Sequence, residues 1–296
     1  MTFDVIVVGG SYAGLAATMQ LARARRRVLV IDEGQRRNRF AQSSHGFLTQ
    51  DGAAPNEIAS RARAEVMAYP TVEWKQGRVE KAAGTETGFI VETAGGEAYE
   101  ASRLILAMGV VDDLPDIPGL KERWGKGVFH CPYCHGYELG GGSIGVLASS
   151  PASMHHALLL PEWGKITFFL NGIFAPSEEE LAQLKRRDVA IETGLIEKIE
   201  GDADVRLRDG RLFSFAGLFT ATITRLSSTL AEQLGCELDQ GAVGTFIKTN
   251  SIKETSVPGV FACGDAGRPA GSLALAVGDG TMAGLGVHRS LVFNEG

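Results

Sequence analysis

Cysteine is scarce in this chain, with four in 296 residues. So few thiols exclude a small secreted fold held by a disulfide framework, and in a reducing compartment they are expected to stay reduced unless chemistry requires otherwise. Positive charge is not in excess either: 29 Lys and Arg against 35 Asp and Glu leave a formal net charge of -6, which argues against nucleic acid or an anionic membrane surface as partner. No apolar run is long enough to span a bilayer. The opening stretch MTFDVIVVGG has no basic region ahead of its apolar residues, so a secretory signal is not expected and the cytoplasm is the default location. No repeat of short fixed period is evident. What is present, 44% hydrophobic and 22% charged residues, is the composition of a folded chain long enough for one large or two ordinary domains.

The first local pattern with chemical content is at the start. Phe3 to Val8 reads as a buried parallel strand, Gly9-Gly10-Ser11-Tyr12-Ala13-Gly14 turns into an Ala/Leu-rich helix, and a second strand, Arg27 to Ile31, ends at Asp32. Strand, glycine turn, helix, strand and acid in this order make a βαβ dinucleotide-binding unit. Glycines let backbone amides approach a pyrophosphate, and the carboxylate holds a ribose hydroxyl. Ser11 stands where the middle glycine of G-x-G-x-x-G is usual. Further on, Ser102 to Met108 is another buried strand stopping at Gly109, and Leu114-Pro115-Asp116-Ile117-Pro118-Gly119 reads as a connector. Near the end, Val257 to Cys263 is a strand closing on Gly264-Asp265.

Between these lies Phe129-His130-Cys131-Pro132-Tyr133-Cys134-His135-Gly136. Two cysteines three positions apart close a small disulfide ring, and a neighbouring helix end or cation favours the thiolate that performs exchange. C-x-x-C-H also spells covalent haem attachment, and C-x-x-C half of a zinc site. The expected lack of an export signal opposes the first, and the lack of a second ligand pair opposes the second, so no metal is expected. A structural pair is the remaining alternative. Cys236 and Cys263 read as packing thiols. His155-His156 are adjacent, so they point to different helix faces and do not make a ligand pair.

In combination, Gly9 to Gly14, Ala107-Met108-Gly109, Gly127 to Cys134 and Ser256 to Asp265 resemble the low-molecular-weight thioredoxin reductase family of flavoproteins, essentially end to end. The resemblance implies an α/β fold of two dinucleotide-binding, Rossmann-like three-layer domains: a discontinuous FAD domain, 1–115 and 243–296, and an inserted CxxC-bearing domain, 116–242. It also implies a homodimer. By the same resemblance Gly9, Ser11 and Gly14 face the FAD pyrophosphate, Asp32 the adenosine ribose, Gly264 and Asp265 the ribityl and phosphate region, and the Ala107–Gly109 strand end the cofactor. Cys134 is the cysteine nearer the flavin, and Cys131 the one that meets substrate. His135 replaces the aspartate usual in the reductases, and an imidazole there can take and return a thiol proton.

A narrower likeness, carried by Arg37-Asn38-Arg39, Ser44-His45-Gly46-Phe47-Leu48 and Cys-His-Gly, points to the dithiol oxidases that close disulfides in secondary metabolites. It places Arg37 and Asn38 on FAD and leaves His45 open between a place near FAD and a surface or structural role.

The chain departs from the reductases where NADPH would bind. Ser143 to Leu147 enters Ala148-Ser149-Ser150-Pro151, with Ala148 and Ser150 in place of two glycines, and the strand Lys165 to Leu170 ends in Asn171-Gly172-Ile173-Phe174, which has no arginine for a 2'-phosphate. Gly271-Ser272-Leu273 stands where the family has Arg-Gln-Ala beside the flavin. The expectation is therefore an FAD-dependent thiol/disulfide oxidoreductase that does not use NADPH in the ordinary way. Its partner is a small dithiol or disulfide, or a thioredoxin-like protein, and oxygen, ferredoxin or a second FAD in the vacated nucleotide site completes the electron path. The alternatives are a conventional NADPH-dependent thioredoxin reductase and, in another class, a flavin-bound redox sensor or interaction module.

Overall fold

β1 (Phe3–Val8) is apolar on both faces because it lies inside a sheet covered on both sides. The computed structural model describes residues 3–293. Around β1 the order is β3 (Val72–Gln76), β2 (Val28–Asp32), β1, β6 (Ala98–Leu106), all parallel. The first residues of β6 pair antiparallel with β5 (Phe89–Thr93), which pairs with β4 (Val79–Gly84). Its last residues pair in parallel with the strand Val260–Ala262. Helix α1 (Tyr12–Arg23) lies along the terminal helix Leu273–Phe293. That approach needs small residues, since a Cβ at Gly280 or Gly284 would run into the carbonyls of Ala13 and Ala17.

The chain divides into two compact units. The first comprises residues up to Arg39, Pro55–Val111 and the chain from Thr224; the second comprises Phe40–Ala54 and Asp112–Ile223. The second unit has its own parallel sheet, in the order Ala190–Glu192, Lys165–Phe169, Ser143–Leu147, Gly217–Thr220, Val128–Phe129. A three-stranded antiparallel sheet, Ile196–Glu200, Asp204–Leu207 and Leu212–Ser214, completes it. Each unit is thus the Rossmann-like α/β arrangement expected of its strand–turn–helix pattern.

These units change over at 111/112 and 223/224 rather than at 115/116 and 242/243. Leu226, Leu230, Ala231 and Cys236 are buried in the same core as Ile6 and Leu104, which keeps 224–242 with the first unit. The proline-marked connector is not a free linker: Ile117 and Leu120 are buried in the second unit's core with Val128 and Leu147. Residues 40–54 leave the first unit between Arg39 and Pro55, and Phe40 sits against Gly125, where a Cβ would meet it.

Candidate active site

The short strand Val128–Phe129 delivers the chain to Cys131, which caps a single helical turn, Pro132–His135. Proline suits the first position of that turn, because its fixed φ is helical and no amide is lost there. The turn brings Cys131 and Cys134 into a disulfide, with Cα atoms 5.3 Å apart, and both cysteines are partly exposed. The Gly136 amide donates to the Pro132 carbonyl at 2.7 Å, and a Cβ at Gly136 would meet that carbonyl and the Trp163 ring. Tyr133 lies edge-on to Trp163, with ring centroids 5.3 Å apart.

His135 follows the pair and stacks on buried Phe129 at 4.3 Å between centroids. Burial lowers its pKa to about 4, the charge of His45 acts in the same direction, and Glu138 opposes both. The imidazole is therefore neutral at physiological pH, able to accept a proton and quick to give it up. His45 lies in the same unit, with Nδ1 3.3 Å from Glu138 Oε1 and 3.6 Å from Asp51 Oδ1, and with Nε2 3.0 Å from Ser43 Oγ. Among the described residues no group of three or more His, Cys, Asp or Glu side chains could hold a metal ion. His156 Nε2 donates to the His130 carbonyl at 2.7 Å while His155 is exposed, so the two do not converge on a common ligand. Cys236 and Cys263 are buried, and burial raises both thiols, Cys263 to about 12.

The residues expected to hold FAD all lie in the first unit. Gly9 has φ +100°, and a Cβ there would strike the Ala107 carbonyl; one at Gly14 would strike the Gly9 carbonyl. The turn is thus a bare cradle at the N-terminus of a twelve-residue helix, whose cap residue Ser11 makes no side-chain cap bond. The Gly10 amide donates to Asp32 Oδ1 at 3.0 Å, fixing that carboxylate at the end of β2. Arg37 and Asp265, 228 positions apart, form an ion pair at 2.9 Å. Asn38 Nδ2 donates to the Tyr12 hydroxyl at 3.2 Å, and its buried Oδ1 has no partner. The Gly109 carbonyl, at a φ of +72°, accepts from the Ser227 amide, and Gly264 sits at φ +67° against Ala13. An open glycine cradle, a helix N-terminus and an orphaned buried oxygen fit FAD. The Gly271 departure also has a steric reason, since a side chain there would run into the Asp265 carboxylate.

The second glycine-poor turn is closed by its own residues. The Ser149 and Ser150 amides both donate to Ser153 Oγ, at 3.0 and 3.4 Å, and Ser149 Oγ donates to the Ala221 carbonyl at 2.7 Å. Asn171 Oδ1 accepts from the Ile196 amide at 2.8 Å.

Three residues that the sequence did not single out lie beside these expected sites. Trp74 lies on Gly10, with Arg63 stacked over its ring at 4.1 Å. Glu138 holds His45. Ser153 self-caps the second turn, and its spacing from Ser150 was the available signal.

A family model described as pyridine nucleotide-disulphide oxidoreductase matches residues 3–280. The chain is 32% identical to "Thioredoxin reductase aclD" of Aspergillus oryzae over 99% of this chain and 98% of that protein. It is also 32% identical to "Thioredoxin reductase sirT" of Leptosphaeria maculans, over 97% and 93%. Among solved structures, an oxidoreductase from Agrobacterium tumefaciens superposes over the whole of both chains with a TM-score of 0.97 at 57% identity. With a Cys131–Cys134 disulfide and a nucleotide cradle in place, the chain belongs to the pyridine nucleotide-disulphide oxidoreductase family, as a thioredoxin reductase-like FAD disulfide oxidoreductase.

Proposed function

We propose that this enzyme exchanges electrons between FAD and a dithiol or disulfide substrate through Cys131 and Cys134 without drawing on NADPH. The observation that carries the NADPH part is the second turn. The two amides that a pyrophosphate would need are taken by Ser153 Oγ, Ala148 and Ser150 bring side chains where close backbone approach is required, and no arginine lies in 171–174 for a 2'-phosphate.

In the oxidising direction a substrate thiolate attacks Cys131 Sγ. The Cys131–Cys134 bond breaks, and Cys134 leaves as a thiolate. The second substrate thiol then displaces Cys131, so the substrate leaves as a disulfide and two electrons and two protons rest on the cysteine pair. His135, neutral and stacked on Phe129, accepts a proton from the attacking thiol and returns it to a departing one. FAD, held by Gly9, Ser11, Gly14, Asp32, Arg37, Asn38, Ala107, Gly109, Gly264 and Asp265, supplies a two-electron carrier. Oxygen is the acceptor in this direction, and ferredoxin or a second FAD the donor in the other. The substrate is a small dithiol or a thioredoxin-like protein, and the working form is a cytoplasmic homodimer. The conventional NADPH-dependent reductase is the second reading, favoured by the names of the relatives.

Anaerobic stopped-flow absorbance separates the two. A small dithiol is expected to bleach the flavin, and micromolar NADPH to leave it oxidised. Rapid bleaching by NADPH would restore the ordinary reductase, and bleaching by neither would transfer the donor role to ferredoxin or a second flavin.

A further inference from the structure

The backbone at Gly10 is not left-handed, unlike that of its neighbour Gly9, so conformation does not require a glycine there. Space does. A Cβ at Gly10 would run into Trp74 Cη2, and it would lie 2.6 Å from Trp74 Cζ2 and 2.9 Å from Asp32 Cβ. The indole reaches this point from β3, where Trp74 pairs with Val30 of β2, two residues before Asp32. Gly10, Asp32 and Trp74 therefore meet at one place in the first unit. The Gly10 amide, donating to Asp32 Oδ1 at 3.0 Å, ties two of the three together.

The indole is held in a defined orientation and at a cost. Arg63, from the helix Pro55–Met67, lies over its ring at 4.1 Å from the centroid, and a guanidinium on the face of an indole fixes the plane of the ring. Trp74 Nε1 belongs to the same edge of the ring as Cζ2, and it is buried with no hydrogen-bond partner. An unmet buried donor penalises the fold and calls for a reason other than stability. An apolar side chain would fill the space beneath the turn without that penalty.

We propose that Trp74 is a positioning residue for the adenosine half of FAD: kept in its plane by Arg63, its ring edge seats Gly10 against Asp32 and so fixes the carboxylate that takes the ribose. The inference rests on the reading that FAD lies in the first unit's glycine cradle, and it adds a residue that the glycine motif does not contain. A carboxylate already in place gives a ribose hydroxyl a charged acceptor with little ordering left to do. Without the indole, the glycine backbone and the Asp32 side chain both regain freedom, and binding must order them again.

The test uses the full chain freed of FAD, with ADP and 2'-deoxy-ADP as probes. ADP carries the adenosine and pyrophosphate of FAD without the flavin, so it does not quench tryptophan by energy transfer. Trp74 is the one tryptophan of the first unit, since Trp124 and Trp163 lie in the second. Binding of ADP, followed by calorimetry, should change the intrinsic emission of the wild type, and Trp74→Phe should lose that change while still binding ADP. The wild type should prefer ADP to 2'-deoxy-ADP by about tenfold, as expected of a hydrogen bond to a charged acceptor. In Trp74→Leu the preference should fall to about twofold, and Arg63→Gln, which loses only the stacked cation, should weaken ADP about two- to fivefold. Should Trp74→Leu fail to fold, Trp74→Phe and Arg63→Gln carry the same comparison of the two nucleotides. ADP that binds the wild type with unchanged emission overturns the proposal. So does a leucine variant that keeps the full preference, or one that loses affinity for both nucleotides equally, as general loosening of the fold would produce. A wild-type chain that binds neither FAD nor ADP overturns the cradle reading and the proposal with it, whereas one that binds both with Trp74 silent overturns the proposal alone.

Discussion

His135 has an aromatic neighbour in Phe129, and this has a consequence for stability as well as for chemistry. Its pKa in the folded chain, about 4, lies below the unfolded value near 6.5, because burial against Phe129 penalises the charged ring. Between those values the unfolded chain binds the proton more readily than the folded one. The stability associated with neutral His135 is therefore fully present above about pH 6.5 and is lost as the pH falls toward 4. After allowance for partial exposure the loss should be on the order of 1–2 kcal/mol. Burial depresses His156 in the same direction, so the comparison must isolate one ring. Denaturant unfolding at pH 7 and pH 5 should show a smaller drop for His135→Asn than for the wild type, and equal drops would remove His135 as the cause.

At the scale of the element, the CPYC turn is tight because of what surrounds it. Gly136 has ordinary helical dihedrals, φ -66° and ψ -37°, so backbone strain is not why glycine is there. Space is the reason: a methyl group would meet the Pro132 carbonyl at 2.7 Å and the Trp163 ring at 2.8 Å. Gly136→Ala should cost about 1–3 kcal/mol of stability and disturb Trp163, which intrinsic fluorescence and thermal unfolding can follow. An alanine variant as stable as the parent, with unchanged tryptophan emission, would show that the ring moves aside freely.

Features of this kind divide what was legible in the sequence from what was not. The strand–turn–helix run from Phe3 to Asp32 was legible, because its signals are local: apolar strands, turn glycines and an acid at a fixed interval. The pairing of Cys131 with Cys134 was legible for the same reason. The contact of Trp74 with Gly10, the contact of His45 with Glu138 and the transfer of 40–54 to the second unit were not. Each joins residues tens of positions apart through packing that no local pattern encodes. Ser153 lies between these cases, since it is only three positions from Ser150, but the use of its hydroxyl by two amides shows only when the turn is built.

For the whole molecule, the two units have separate hydrophobic cores. One is built around Ile6, Leu29, Leu104 and Val260, and the others around Ile144, Phe168 and Phe219 and around Leu120, Val128 and Leu147. The groups expected to respond to cofactor and to reductant are divided in the same way, with the FAD cradle in the first unit and the Cys131–Cys134 disulfide in the second. A ligand that binds only the folded form stabilises it by about 2.7 kcal/mol at a hundredfold excess over Kd. Differential scanning calorimetry should therefore show a component whose midpoint rises with added FAD and a component that moves when the disulfide is reduced. Asp265→Ala removes the partner of Arg37 and a charge-assisted hydrogen-bond acceptor, a loss of about 1.5–3 kcal/mol. It should weaken FAD retention roughly ten- to a hundredfold and lower only the FAD-dependent component, whereas Cys131→Ser should affect only the other. If both variants shift a single transition by the same amount, the two cores unfold as one cooperative body, and the division of labour between the units lies in chemistry and not in stability.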